Sequence, residues 1–327
     1  MKHFLKPYFT ILILSGVLIF YSQTFTSCST PPGDITDTAK VKPKTAKKFV
    51  PDFNADSAFA FTKAQVDFGP RVPNTPAHEK CMNYIISKMK QYGMEVMVQT
   101  GSVIAYNGKT MPVKNIIASY KKENVDRVML SGHWDTRPMA DRDDHDKDKP
   151  IDGASDGASE VGVMIEIARL LSVSKADIGI DFIFFDMEDY GDEYCQGSEY
   201  WAKNLHVPNY YAKYGILMDM VGAKGAKFPI EGNSWEYAQS EVQKIWGKAN
   251  ELGYSNYFDY NKVQAITDDH VNVTMFANIP CVDIIQMDPD THDFGPYHHR
   301  NSDKMDIIYK NTLKAVGQTV TAVVYSE

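Results

Sequence analysis

Cysteine is scarce in this chain. Four occur in 327 residues, at positions 28, 81, 195 and 281, and no pair has the C-x-x-C spacing of a zinc–thiolate site. With Cys28 set aside, three remain, an odd number for a disulfide framework. Cys81 and Cys281 lie in apolar segments and read as buried hydrophobes. A surplus of positive charge is also missing: 34 basic against 42 acidic residues give a net charge of −8, which excludes a nucleic-acid footprint. No internal repeat or low-complexity block follows residue 52. What is present is apolar. A hydrophobic content of 43% with 12% aromatics is ample for a sizeable core, in one large α/β domain or two small ones.

The first residues do not read as fold. Lys2 and Lys6 precede an apolar run over residues 9–21 that is too short to span a membrane comfortably, and small residues then lead to Cys28. This pattern predicts a signal peptide over residues 1–27. Its placement of Cys28 resembles a bacterial lipoprotein signal, whose cysteine is lipidated, although Phe25 stands where Leu is usual. Loss of residues 1–27 removes two lysines and no acid, leaving a charge of −10. Residues 28–52, rich in Pro, Thr, Lys and Asp, read as a flexible tether. The expected organisation is therefore signal peptide 1–27, tether 28–52 and catalytic domain 53–327. The expected location is periplasmic, with a lipid anchor on Cys28.

Within the domain, strand and helix patterns alternate. Residues 95–102 and 114–120 read as a hairpin around Asn107-Gly108. Short buried strands follow near residues 127–131, 182–185, 214–220 and 279–285, separated by helical periodicity. Such alternation means a largely parallel sheet covered by helices on both faces. Three of these strands run straight into groups that bind metals or protons: His133 and Asp135, Glu188 and Asp189, and Asp219. His299 follows the fourth, and Asp156 stands at the N-cap position of the helix after the first. Carboxylates gathered at one sheet edge repel unless a cation joins them. Carboxylate oxygens with imidazole suit zinc, three protein ligands leaving an open catalytic position. Adjacent Glu188 and Asp189 cannot point the same way, so they invite one metal role and one proton role.

The set G-H-W-D at 132, G-A-S-D-G-A-S at 153, F-F-D-M-E-D at 184, L-M-D-M at 217 and H-R-N-S-D at 299 resembles the zinc aminopeptidase-like superfamily, peptidase family M28. Within it, F-F-D-x-E-[ED] and Asp268-Asp269-His270 are most similar to the animal-type glutaminyl cyclases, which also occur in bacteria. The resemblance spans about residues 55–325. It implies a single α/β domain with a mixed, mostly parallel twisted sheet between helices. It also implies one zinc ion on Asp156, Asp189 and His299, with Glu188 as proton shuttle. Asp219 would anchor the substrate amine, and Asp268 would belong to the surrounding hydrogen-bond network.

The implied activity is conversion of amino-terminal glutamine to pyroglutamate on peptides and exported proteins, by a monomer. Trp134, Trp235 and His298 are expected at the pocket wall. Asp135 and Asp186 are expected to order loops, and Asp283 to be buried and paired with Asp268. Several departures stand out. Asp189 replaces a more usual Glu, His298 beside His299 is an alternative ligand, and the paired cysteines near the site in animal cyclases have no counterparts, Gly132 and Val161 occupying that neighbourhood. His133 and Asp219, which hold a second zinc in the peptidases, are both present. A dizinc aminopeptidase and a catalytically silent peptide-binding module on this fold are the rival readings.

Overall fold

The hairpin read from Asn107-Gly108 forms β1 (Glu95–Ile104) and β2 (Thr110–Tyr120), in continuous antiparallel register from Glu95 opposite Ser119 to Ile104 opposite Thr110. Before it come α1 (Ala55–Val66) and α2 (Pro76–Gln91). In α2, Thr75 caps the first turn through the His78 amide and Pro76 takes a position where its missing N–H costs nothing. The chain then alternates. β3 (Arg127–His133), α3 (Ala158–Val173), β4 (Gly179–Phe185), α4 (Gln196–Lys203) and β5 (Gly215–Asp219) complete the first half. The second half has β6 (Phe228–Ile230), α5 (Gly232–Tyr237), α6 (Gln239–Glu251), β7 (Phe258–Lys262), α7 (Asp269–Ala277), β8 (Cys281–Ile285) and α8 (Lys310–Ser326).

The six-stranded sheet has the order β1-β2-β4-β3-β5-β8. Strands β4, β3, β5 and β8 are parallel, and β2 joins β4 antiparallel. Every residue of β3 and β4 is buried, as expected of central parallel strands. Alternation along β4 divides the core: Phe182 and Phe184 face one cluster, Ile183 and Phe185 the other. The first cluster lies under α1, α3, α6 and α8. The second lies under α4 and α7 and includes Trp201 and Val273. The parallel strands deliver their carboxyl ends to a single edge, where open α/β sheets place their sites. The short β6–β7 pair was not foreseen from sequence.

The structure is a computed structural model that describes residues 49–327, all within one compact unit, Lys47–Glu327. The expected signal peptide, Cys28 and most of the expected tether lie outside the described residues. The last tether residues do not behave as a tether. Val50 packs on the core, Pro51 is buried with its carbonyl accepting from Gln318 Nε2 at 3.1 Å, and Asp52 pairs with Lys314. No helix among the described residues is long and apolar enough to cross a membrane.

Candidate active site and metal centre

The turn after β4 is built to separate two adjacent carboxylates. Met187 adopts a left-handed backbone (φ 57°), reversing the chain just after the buried strand. Asp186 stays inside and braces the turn, accepting from His78 Nε2 at 2.8 Å, the Lys114 amide at 2.8 Å and the Met187 amide at 2.9 Å. Asp135, at the end of β3, holds the next two residues by their backbones. Its two oxygens accept from the Glu188 and Asp189 amides at 3.1 and 3.2 Å. The loop-ordering roles expected of Asp135 and Asp186 thus have a geometry. With both amides clamped, the side chains of Glu188 and Asp189 diverge.

Asp189 turns toward His299, whose Nε2 lies 3.3 Å from Asp189 Oδ1 and 4.0 Å from Asp156 Oδ2. Arg137, fully buried, also binds Asp189 Oδ1 at 2.9 Å, and holds Asp141 with its other nitrogens at 2.7 and 2.8 Å. The second oxygen, Asp189 Oδ2, is buried without a hydrogen-bond partner. An orphaned carboxylate oxygen beside an imidazole and a second buried acid is a donor set that a divalent cation satisfies. Burial and the neighbouring Asp156 raise the Asp189 pKa, only partly offset by His299 and Arg137. Burial pulls His299 down, but Asp189 and Asp156 outweigh it and raise its pKa.

His298 stands differently. Donor atoms of Asp156, His298 and His299 lie within 4.8 Å of one another, so proximity alone does not separate the two histidines. The Arg142 guanidinium, however, lies 2.7 Å from His298 Nδ1, and a guanidinium only donates. Nδ1 is therefore an acceptor and the neutral ring carries its proton on Nε2, leaving no free lone pair for a metal. The ring of His298 packs on His299 at 3.6 Å and on Phe294 at 4.5 Å.

Around this centre lies a cavity of about 340 Å3, lined by Glu188, Asp219, Asp268, Tyr194, Phe294 and His298 among others. Burial, with Asp189, Asp269 and Asp268 nearby, lifts the Glu188 carboxyl well above the usual range, despite the lowering effect of His133. Burial also carries Asp219 up to about 7, with Asp268 adding to it and His133 opposing. His133 itself is buried between acids: Nε2 is 3.1 Å from Asp156, 3.4 Å from Glu160 and 3.5 Å from Asp219. A depression of about 380 Å3 lies away from these strand ends. Its inner polar groups, Arg127, Asp181 and Tyr210, already satisfy one another and leave no free chemistry.

Three expectations are corrected. Trp134 is wholly enclosed, stacked on His78 at 4.0 Å, because strand alternation sends it to the face opposite His133 and Asp135. Trp235 is half-buried at the core margin under the Lys262 ammonium, and Ile266, Ile285 and Phe294 supply the apolar wall instead. Asp156 does not cap α3: the cap position is Gly157 (φ 98°), and no side chain caps it. The Asp156 carboxyl is directed to His133, while Asp303 fixes its backbone by accepting from the Ser155 and Asp156 amides at 2.8 and 3.0 Å.

Sequence reasoning gave no individual role to Arg137, Asp141 and Arg142, although the long polar loop that carries them, residues 137–153, has a length that is uncommon unless functional. It also missed Glu160, in the first turn of α3, whose carboxyl lies 3.4 Å from His133 Nε2.

Behind the cavity, Asp268 caps α7 and Asp283 is fully buried, its carboxyl raised first by burial and then by Asp268 and Glu231. His270 closes this network against Glu231, with Nε2–Oε2 at 3.0 Å. Glu231 also accepts from the Asn233 and Ser234 amides at 2.8 Å each and from the Ile266 amide at 2.9 Å. Burial opposes its ionisation, but these donors and His270 outweigh it and hold its pKa at about 2. A folded pKa below the unfolded one stabilises above the unfolded value of roughly 4.3, and this stability disappears as pH falls from there toward 2. Glu231→Gln is expected to lose roughly 2–4 kcal/mol at neutral pH. Urea unfolding at pH 7 and pH 3 measures this, and the difference between wild type and variant should shrink at the lower pH.

The family model for peptidase family M28 matches residues 115–324. Among curated proteins, aminopeptidase YwaD of Bacillus subtilis is 28% identical over 225 residues, covering 65% of this chain. The chain spans only 44% of that protein's length. Among solved structures, a Bacteroides thetaiotaomicron glutaminyl cyclase bound to N-acetylhistamine is 47% identical (TM-score 0.83, 85% of this chain, 100% of that one). A Tannerella forsythia glutaminyl cyclase is 48% identical, at TM-score 0.82 with the same coverage. A zinc-dependent exopeptidase from Parabacteroides distasonis ATCC 8503 is 47% identical, at TM-score 0.83, again with that coverage. On the family match, which spans more than half of its residues, the chain belongs to peptidase family M28.

Proposed function

We propose that this protein is a glutaminyl-peptide cyclotransferase, converting amino-terminal glutamine to pyroglutamate with release of ammonia. The observation that carries the reading is the divergence of Glu188 and Asp189 beside a small cavity, in a chain 47–48% identical over its domain to solved glutaminyl cyclases. Asp156, Asp189 and His299 would hold a zinc ion, whose Lewis acidity polarises the γ-carbonyl oxygen of the substrate.

The remaining steps belong to the chain's own residues. Asp219 receives the substrate α-amine, and the apolar wall of Ile266, Ile285 and Phe294 accepts the glutamine methylenes while keeping water out. As the amine nitrogen bonds to the γ-carbon, Glu188 takes its proton. Glu188 then delivers that proton to the departing nitrogen as the C–N bond breaks and ammonia leaves. A carboxyl raised by burial suits both directions of this transfer. No water nucleophile takes part, so one metal suffices.

Incubation with Gln-initiated peptides should release ammonia and block the amino terminus, while aminoacyl anilides should be left intact. Cleavage of the anilides without cyclisation would instead establish an aminopeptidase. Metal analysis should find one zinc per chain. The alternative count of two draws on the donor set His133, Glu160 and Asp219, whose atoms lie within 4.8 Å of one another. The leader pattern of residues 1–28 supports an exported, lipid-anchored enzyme, whose substrates would be other exported chains or imported peptides. Palmitate labelling lost in Cys28→Ala tests the anchor.

A further inference from the structure

Glu188, as the proton carrier, must hold one direction through two proton transfers, and its nearest imidazole does not hold it. His133 Nδ1 lies 3.9 Å from Glu188 Oε2, beyond hydrogen-bond reach. The hydrogen bond to this carboxyl comes from Cys195, whose Sγ is 3.4 Å from Oε1. The same cysteine is tied to Glu188 a second time, its amide donating to the Glu188 carbonyl at 2.9 Å. Residues 189–194 therefore leave and return to one clasp, and Tyr194, on this excursion, stacks on His299.

The clasp is itself fixed. Cys195 adopts a left-handed backbone (φ 60°, ψ 26°) at the start of α4, a conformation an L-residue keeps only when its surroundings impose it. Those surroundings are visible: the Cys195 carbonyl accepts from Asn272 Nδ2 on α7 and from Ser198 Oγ, each at 3.0 Å. The thiol is 1% exposed, and donor atoms of Glu188, Cys195 and Asp268 lie within 4.8 Å of one another. Burial and the surrounding acids keep the sulfur protonated, so it has a proton to donate.

We infer that Cys195 is a positioning residue for the cyclisation: its S–H···O hydrogen bond holds the Glu188 carboxyl toward the cavity in a fixed rotamer. A thiol suits the task better than a stronger donor. It aligns the carboxyl without binding its charge so firmly that proton uptake is suppressed. This inference rests on the proposed role of Glu188, and the experiment separates the two.

Four proteins are compared by steady-state kinetics on a Gln-initiated peptide, with zinc content and thermal unfolding measured for each: wild type, Cys195→Ala, Cys195→Ser and Glu188→Gln. Cys195→Ala should lower kcat by about tenfold, the scale of one hydrogen bond to a charged group, with KM and zinc content unchanged. Cys195→Ser should recover part of that loss, because its hydroxyl restores a donor. The S–H stretching band gives a readout that does not depend on turnover or on the folding of a cysteine variant. In wild type the Cys195 component should lie low, and in Glu188→Gln it should move up, with the Cys81 and Cys281 components unmoved. A Cys195→Ala enzyme within twofold of wild-type kcat, or an S–H band indifferent to Glu188→Gln, overturns the inference while leaving Glu188 in its role. If Glu188→Gln itself turns over normally, the functional reading fails first, and this inference with it.

Discussion

Glu188→Gln should lower kcat about 10³-fold, in the middle of the range for a positioned general acid–base group, with zinc content and KM close to wild type. The amide is nearly isosteric, so the turn held by Met187 and the Asp135 clamp on the Glu188 and Asp189 amides should survive the change. What is lost is a group that can take the amine proton and return it to the leaving nitrogen. The expectation depends on Glu188 standing apart from the metal, and its geometry provides this. Its carboxyl lines the cavity and meets Cys195, while Asp189 meets Arg137 and His299. Single-turnover and steady-state assays with parallel metal analysis measure the effect. A variant that loses zinc along with turnover would move Glu188 into the ligand set and leave the proton carrier unassigned. Residual activity near wild type would remove general acid–base catalysis by this residue from the mechanism.

The strand ends were legible because a buried parallel strand leaves a strong apolar signal, and a carboxylate directly after it is hard to place elsewhere. His133, Glu188-Asp189 and Asp219 were found in this way, and the structure brings them to one edge. Cap chemistry was less legible. Asp156 before a helical run looks like a cap, but the cap position belongs to Gly157, whose positive φ frees the aspartate to face His133. Strand parity excludes Trp134 from the pocket: continued past β3, the alternation sets it on the face opposite His133 and Asp135.

The loop over residues 137–153 was the least legible part: its length points to a functional loop, but its run of charges does not show which of them are buried. Arg137 is fully buried there because Asp141, Asp189 and the Gly191 carbonyl together compensate a guanidinium out of water. Asp141 is only four residues on, but Asp189 and Gly191 lie 52 and 54 residues away. No local pattern announces such compensation.

Replacing His299 by alanine should weaken zinc binding by at least about 100-fold, more than the loss of an outer hydrogen-bond partner typically costs, and should abolish turnover at limiting metal. His298→Ala should keep the zinc. The two rings are adjacent in sequence and 3.6 Å apart, so the contrast follows from hydrogen bonding and not from distance. The Arg142 guanidinium faces His298 Nδ1 and is itself anchored by Asp293 at 3.0 and 3.1 Å, which commits His298 to the Nε2–H tautomer. That ring can donate to a substrate carbonyl but has no lone pair left for a cation. His299 has no such donor: Asp189, Asp156 and Asp141 surround it, all acceptors. Its left-handed backbone (φ 55°) is a strained conformation for a side chain of this kind, consistent with a group held in place for a function. Competition with a chromogenic chelator gives the zinc affinity of each variant. Zinc retained in His299→Ala and lost in His298→Ala would reverse the assignment and require the Arg142 contact to break when metal binds. Zinc lost in both would mean that the two rings share the ion, with His298 released from Arg142 in the loaded enzyme.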